Sequence, residues 1–363
     1  MKQFEAIISI KGMLSAQTKF LKAFLFVNNI FSYFTFLNQI FQKEEYDRGM
    51  RRLLIGFLCG FIMLFDITAQ QDPQYSQYMF NHLAVNPGYA GSHDAICLNA
   101  VHRQQWVGIE GAPITSVFTV NSPFRMFGAS HGVGLAVMSD QIGFDQNVSA
   151  GLDYAFRFSL GNAPGKLGIG ISGIFLNKAL KATWKIPGGN PDLDPSIPGP
   201  NESVSGFDLG FGVFYRADNV YLGLSATHLL EPTLSYDKAK YPLKRHYYAT
   251  AGCVLPLNNP VWEVAPSLMA YSDGTASQFT ANMNIMYNKK IWGGVGYRLN
   301  DAVIAMVGVD LFNGVKVGYA FDYTYTNVHN FVSAGGSHEV MVSYCFNLVK
   351  EKVVKKYKSV RFL

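Results

Sequence analysis

From Ala95 to Leu348 apolar residues alternate with small or polar ones at a period of two. Val148, Ala150, Leu152, Tyr154, Phe156, Phe158 and Leu160 take every second position of one stretch, with Ser149, Gly151, Asp153, Ala155, Arg157 and Ser159 between them. Such a period belongs to strands whose two faces meet different surroundings. The same alternation sets Phe207, Leu209, Phe211 and Val213 against Asp208, Gly210 and Gly212, and Phe279, Ala281, Met283 and Ile285 against Thr280, Asn282 and Asn284. It also sets Val317, Tyr319, Phe321 and Tyr323 against Gly318, Ala320, Asp322 and Thr324. About fourteen segments carry it: 95–107, 113–122, 131–139, 146–160, 166–178, 205–217, 219–229, 245–256, 261–272, 276–288, 290–299, 302–312, 314–325 and 337–348.

An even number of strands of ~10 residues, with one apolar face and short turns alternating with longer loops, is the pattern of an antiparallel barrel that crosses an outer membrane. Asn288-Lys289 and Asn313-Gly314 read as short turns; 178–204 and 231–244 read as long loops. A soluble sandwich of the same period would carry charge on its outward face, yet only 15% of the residues are charged. After residue 69 no apolar run approaches the roughly 20 residues of a spanning helix. The expected fold is all-β, a closed transmembrane barrel of about 14 strands over 95–348, with Leu152, Tyr154, Phe156 and Phe158 toward lipid and Asp153 and Arg157 inward. The last segment ends in alternating apolar residues, with Phe346 or Leu348 as the terminal side chain that insertion machinery would engage.

The front of the chain divides differently. Arg51 and Arg52, the apolar run 53–65 and Ala69 have the layout of a secretory signal with cleavage after Ala69, too short to span a bilayer. Residues 1–49 fit neither signal nor domain, and Met50 is placed as an initiator; 1–49 is therefore expected to be an over-called extension and 50–69 the signal peptide. Cys59 lacks the small preceding residue of a lipoprotein site. Residues 70–94 are polar, aromatic and marked by Pro73 and Pro87, so they suit an extended arm or a plug better than a helix. Tyr75, Tyr78, Met79 and Phe80 form an apolar cluster too large to leave in water. Beyond the barrel, 349–363 is a basic tail.

Charge and motifs narrow the function. Between Gln70 and Phe346 stand 16 basic and 19 acidic residues, which excludes a nucleic-acid-binding fold surface. P-loop, G-x-S-x-G and His-x-x-x-His patterns are absent, so neither catalysis, a cofactor nor a metal is expected. Gly168 and Gly170 alternate along a strand and read as small inward residues; the eight histidines share no short spacing. Asp192 and Asp194 lie in a polar loop without a calcium-loop pattern. Cys97, Cys253 and Cys345 fall in separate strands and read as small apolar residues. A cation facing lipid at the midplane costs roughly 2–4 kcal/mol, so Arg103 and Arg245 belong in the lumen or at an interface. Trp184 and Tyr236 offer aromatic anchors in the long loops.

The stretches Asp72-Pro73-Gln74-Tyr75-Ser76-Gln77-Tyr78-Met79-Phe80-Asn81 and Asn86-Pro87-Gly88-Tyr89-Ala90-Gly91 resemble the opening of the PorP/SprF family. The resemblance continues at Arg103-Gln104-Gln105-Trp106-Val107-Gly108, Arg245-His246-Tyr247, Tyr319-Ala320-Phe321-Asp322-Tyr323 and Ser337-His338-Glu339-Val340-Met341, and departs at His82, where the family commonly has proline. It implies an outer-membrane barrel of the type IX secretion system that helps an exported surface protein, such as an adhesin, reach or stay on the cell, in contact with lipid and with other secretion or gliding components. Residues expected to meet such partners are Tyr75, Tyr78, Phe80, Arg103, Trp106, Trp184, Tyr236 and Arg245. The alternative is a diffusion channel for small solutes.

Overall fold

Alternation becomes wall. The computed structural model describes residues 72–161, 163–181, 202–236, 240–311, 314–326, 332 and 336–346. The expected signal peptide 50–69 and extension 1–49, the loop with Asp192 and Asp194, Trp184 and the tail from 349 lie outside the described residues. Among the described residues seventeen strands follow one another: β1 (Ile96–Gln104), β2 (Ile114–Met126), β3 (Ala129–Ile142), β4 (Asp145–Ser159), β5 (Lys166–Leu180), β6 (Glu202–Arg216), β7 (Val220–Thr227), β8 (Thr233–Ser235), β9 (Lys240–Pro242), β10 (His246–Cys253), β11 (Leu255–Pro256), β12 (Trp262–Ser272), β13 (Ser277–Tyr287), β14 (Ile291–Arg298), β15 (Ala302–Asp310), β16 (Val315–Thr324) and β17 (Gly336–Phe346).

Fourteen of these form one antiparallel ring. Each pairs with its neighbours in chain order, β10 passes directly to β12 (Thr250 opposite Met269), and β1 meets β17 (Ala100 opposite Val342) to shut the seam. No wall strand keeps an open edge, the condition that hydrocarbon imposes on a sheet. The short β11 pairs only with β12, outside the ring. The loop after β7 is less irregular than its composition suggests, because β8 and β9 form a hairpin that packs Leu234 onto β6 at Gly206.

The faces follow the alternation. On β4, Leu152 is 69% exposed while Asp153 and Arg157, on the opposite face, are 6% and 5% exposed. Leu209, Leu224, Val295 and many like them form an apolar outer belt, far beyond the few hundred Å² that a water-facing surface ordinarily leaves contiguous. Aromatic pairs lie near both rims, Trp262 with Tyr287 at one and Tyr297 with Tyr325 at the other, as interfacial girdles require. The turns 127–128, 217–219 and 288–290 lie at one end; the longer connections 105–113, 228–245 and 325–335 lie at the other, together with the short turns 143–144 and 299–301. In an outer-membrane barrel the short-turn end faces the periplasm. The two-residue turn Phe127-Gly128 has both φ angles positive (51° and 76°), the twist a tight hairpin needs.

One expectation is corrected. Cys97 and Cys345 are not merely small strand residues: they stand opposite each other across the β1–β17 seam and are joined by a disulfide, 248 residues apart in sequence. Barrel closure brings the first and last strands together, a proximity that local spacing does not display. Cys253 is free and half-buried.

Candidate functional site

The lumen is occupied by the chain's own opening segment. Residues 72–95 take the plug form, wound into three single 3₁₀ turns at Tyr78–Phe80, His82–Ala84 and Pro87–Tyr89. Short turns suit the sequence, since Pro87 starts one of them and Asn86 caps it by accepting from the Gly88 N–H. Asp72 lies beside Thr227, at the long-loop end of β7, and Gly91 beside Asn121 on β2, nearer the short-turn end. The segment therefore runs down the lumen before β1 turns back up the wall.

Wall side chains satisfy its polar backbone along this path. Asn282 donates to the Ser76 carbonyl (3.0 Å), Asn99 to that of Phe80 (3.1 Å), Ser225 to that of Val85 (2.6 Å) and Arg157 to those of Gly91 and Ser92. Asn86 in turn donates to the carbonyls of Val213 and Leu224. Tyr75, Tyr78 and Val85 pack with Val101, Met269, Trp292 and Met341 of the wall. Tyr89 and Ala90 pack with Phe214. Gly168, Gly170 and Gly212 let the segment approach the wall, for a Cβ on any of them would collide with Asn86, Pro87 or Gly88.

The densest contact is ionic. Arg103 on β1, Arg298 on β14, Asp322 on β16 and Glu339 on β17 are all at most 2% exposed. Arg103 meets Asp322 at 2.7 Å and Glu339 at 3.3 Å, and Arg298 meets Asp322 at 2.8 Å. Arg298 also meets Asp301 at 3.3 Å, and both carboxylates and both guanidinium groups contact the plug as well. The N–H groups of Ser76 and Gln77 donate to the two oxygens of Glu339, each at 2.7 Å. Ser76 Oγ donates to Asp322 and accepts from Arg103 and Arg298. Buried charges are tolerated where such partners satisfy them, so the wall's inner charge and the docked plug depend on one another.

At the outer mouth Asp72 accepts from Tyr248 (2.7 Å) and faces His228 Nε2 at 3.1 Å, while His228 Nδ1 lies 2.6 Å from Asp208. Burial pulls His228 down, but the carboxylates of Asp72 and Asp208 outweigh it and push its pKa up to about 10. Burial raises Asp72, and His228 and His246 reverse that and hold it well below the usual carboxylate range. His82, enclosed by Tyr89, Phe214 and Tyr221, is pulled down to about 3 by burial, with Arg216 adding to the effect.

Of the residues expected to meet partners, Tyr75, Tyr78, Phe80 and Arg103 come together in this plug-and-wall contact. Trp106 is half-buried in the first long loop, where its backbone N–H donates to Ser337 Oγ (3.1 Å). Arg245 is half-buried at the rim, donating to the Leu229 carbonyl (2.9 Å) beside Glu231. Tyr236 is buried, not presented at the loop surface, so its ring is not a free anchor. Asp322, Glu339, Arg298 and Ser76 were not singled out from sequence. Their position on the inward parity of their strands, or within the plug, is the signal that finds them.

No curated protein matches the chain in sequence. Omp33 of Acinetobacter baumannii is 8% identical, with 70% of this chain and 100% of that chain covered and a TM-score of 0.41. For a Pseudomonas aeruginosa FadL homologue the values are 12%, 75%, 94% and 0.42, and for the KdgM porin 11%, 69%, 99% and 0.31. No weight rests on superpositions this loose. The model of the type IX secretion system membrane protein PorP/SprF matches residues 67–344. With that match joined to a closed wall and a lipid-facing belt, the chain belongs to the PorP/SprF family and is an outer-membrane β-barrel of the type IX secretion system.

Proposed function

We propose that this barrel supports the secretion or surface attachment of an exported partner protein, such as an adhesin, by holding or guiding it at the outer membrane. The observation that carries the reading is the filled lumen. A diffusion channel needs an open path, whereas here Ser76 and Gln77 are wholly buried between wall charges on β1, β14, β16 and β17. The wall and plug have no means of driving transport themselves in this reading, so energy comes from other secretion components. The contact surface for the partner is the set of long outer loops, chiefly 178–204 and 231–244.

The test has two readouts. Wild-type protein in planar bilayers is expected to be closed, and deletion of 72–81 to open a measurable pore. Loss of the protein is expected to reduce surface display of one exported protein, recoverable with the barrel from native membranes, while type IX export in general continues. A large, steadily open wild-type pore returns the assignment to a diffusion channel. Normal display after both loops are exchanged for short turns moves the contact surface to the periplasmic side.

A further inference from the structure

The outer mouth gathers three metal-ligating side chains that lie far apart in sequence. A carboxylate oxygen of Asp72 and one ring nitrogen each of His228 and His246 lie within 4.8 Å of one another. His228 Nε2 is 3.1 Å from Asp72 Oδ1, and His246 Nε2 is 3.4 Å from the Asp72 backbone N. Donors sharing one tetrahedral zinc at about 2.1 Å stand roughly 3.4 Å apart, close to the 3.1 Å between His228 Nε2 and Asp72; to join them His246 turns its Nε2 from the Asp72 N–H toward the ion.

The imidazoles are also braced as ligands require. A metal-binding histidine ordinarily gives its second nitrogen to a carboxylate or a backbone carbonyl, which fixes the ring and its tautomer. Here both forms occur. His228 Nδ1 is held by Asp208 Oδ2 at 2.6 Å, and Asp208 is itself fixed by the N–H groups of Leu209 (2.7 Å) and Leu230 (3.1 Å). His246 Nδ1 donates to the Lys244 carbonyl at 3.0 Å, leaving Nε2 as the lone-pair nitrogen, directed at the Asp72 N–H (3.4 Å). Tyr248 and Thr227 steady the Asp72 carboxylate.

We infer that Asp72, His228 and His246 form a zinc-binding site that fastens the start of the plug to the loop following β7. Two imidazoles and one carboxylate without a thiolate suit Zn²⁺; Ca²⁺ and Mg²⁺ prefer all-oxygen sets and Cu(I) prefers sulfur. Three protein ligands leave a fourth position for water, or for a donor from a bound partner. The ion joins a plug residue to two wall-and-loop residues, so it couples occupancy of the lumen to the position of the outer loop. The competing account is a hydrogen-bonded cluster in which a proton on His228 bridges Asp208 and Asp72 and no ion enters.

The experiment uses the full chain purified from outer membranes in detergent, stripped with a chelator and titrated with Zn²⁺ against a chromophoric competitor. One ion per chain is expected. Loss of at least about 100-fold in affinity is expected for His228→Ala and for His246→Ala, and a 10- to 100-fold loss for Asp208→Asn, the range typical of a ligand's own partner. His102→Ala, on an exposed position of β1, leaves affinity unchanged. Heat-modifiable migration verifies that each variant is a folded barrel. Should the histidine variants not fold, Co²⁺ bound to the wild-type barrel decides: an intense four-coordinate visible spectrum supports the site, and a weak six-coordinate one overturns it. No stoichiometric uptake by the wild type, or uptake indifferent to His228→Ala and His246→Ala, likewise overturns it in favour of the proton-bridged cluster. Neither result bears on the closed lumen, which conductance measures separately.

Discussion

Replacing Glu339 by Gln tests whether the wall charges hold the plug. Glu339 accepts the N–H groups of Ser76 and Gln77 through separate oxygens, each at 2.7 Å, and also pairs with Arg103. Gln keeps one acceptor oxygen and turns an NH₂ toward the other donor, so one bond to a charged acceptor is lost and one buried N–H is left unpaired. Hydrogen bonds to charged groups contribute about 1.5–3 kcal/mol, and an unsatisfied buried donor costs about 1–3 kcal/mol. A conservative total is about 3 kcal/mol, a roughly 100-fold rise in the undocked population. Hydrogen exchange read by mass spectrometry on peptides covering 72–85 should accelerate by that factor, while peptides of β3–β5 stay protected and the barrel remains heat-modifiable. Unchanged exchange at 72–85 in a folded Glu339→Gln barrel would refute the reasoning and shift the anchoring to the remaining polar contacts and apolar packing.

Phe156→Arg places a charge on the lipid-facing side of β4 toward its short-turn end, where the cost is below the roughly 2–4 kcal/mol of the midplane, whereas Ser159→Arg lies at the strand end on the other parity, so the first should depress folding yield into bilayers more than the second. Gly170→Val drives a side chain into Pro87 and Gly88 and should expel 86–91 at a cost of about 3 kcal/mol; Gly173→Val meets open space and should be neutral, with protease sensitivity of the segment as the readout. His82 has a docked pKa of about 3 against 6.5 when solvated, so the undocked form takes up protons first. Docking stability is then complete above pH 6.5 and falls as pH drops toward 3, losing about 2 kcal/mol from pH 7 to pH 5. His82→Phe should flatten that profile in exchange measurements corrected for intrinsic rates.

The wall was legible because a period of two is a direct imprint of one face in lipid and one in a polar lumen. The fourteen segments read from it correspond to the ring strands, and β11 escaped because two residues carry no period. The plug was legible in part: Tyr75, Tyr78 and Phe80 announce an apolar cluster that must be covered. What covers it depends on closure. Asp322 and Glu339 stood within recognised stretches without any local feature to mark them, and Arg298 lies 195 positions from Arg103 along the chain yet shares its carboxylate partner. Parity does betray them, since Arg298 continues the inward series Trp292, Gly294, Gly296 opposite the outward Val295 and Tyr297. The Cys97–Cys345 bond and the Asp72, His228, His246 cluster were hidden for the same reason.

The bond across the seam also makes the barrel its own reporter of assembly. Cys97 sits in the first strand to be synthesised and Cys345 in the last, and they face each other only when β1 and β17 are in register. An exported chain meets an oxidising compartment before insertion, yet this pair has no native proximity until the ring is shut. The fraction of molecules migrating as the oxidised form on a non-reducing gel therefore measures the fraction that has closed. Followed in time after a pulse of synthesis, it yields the rate at which the wall closes around the plug in living cells, without any label attached to the protein.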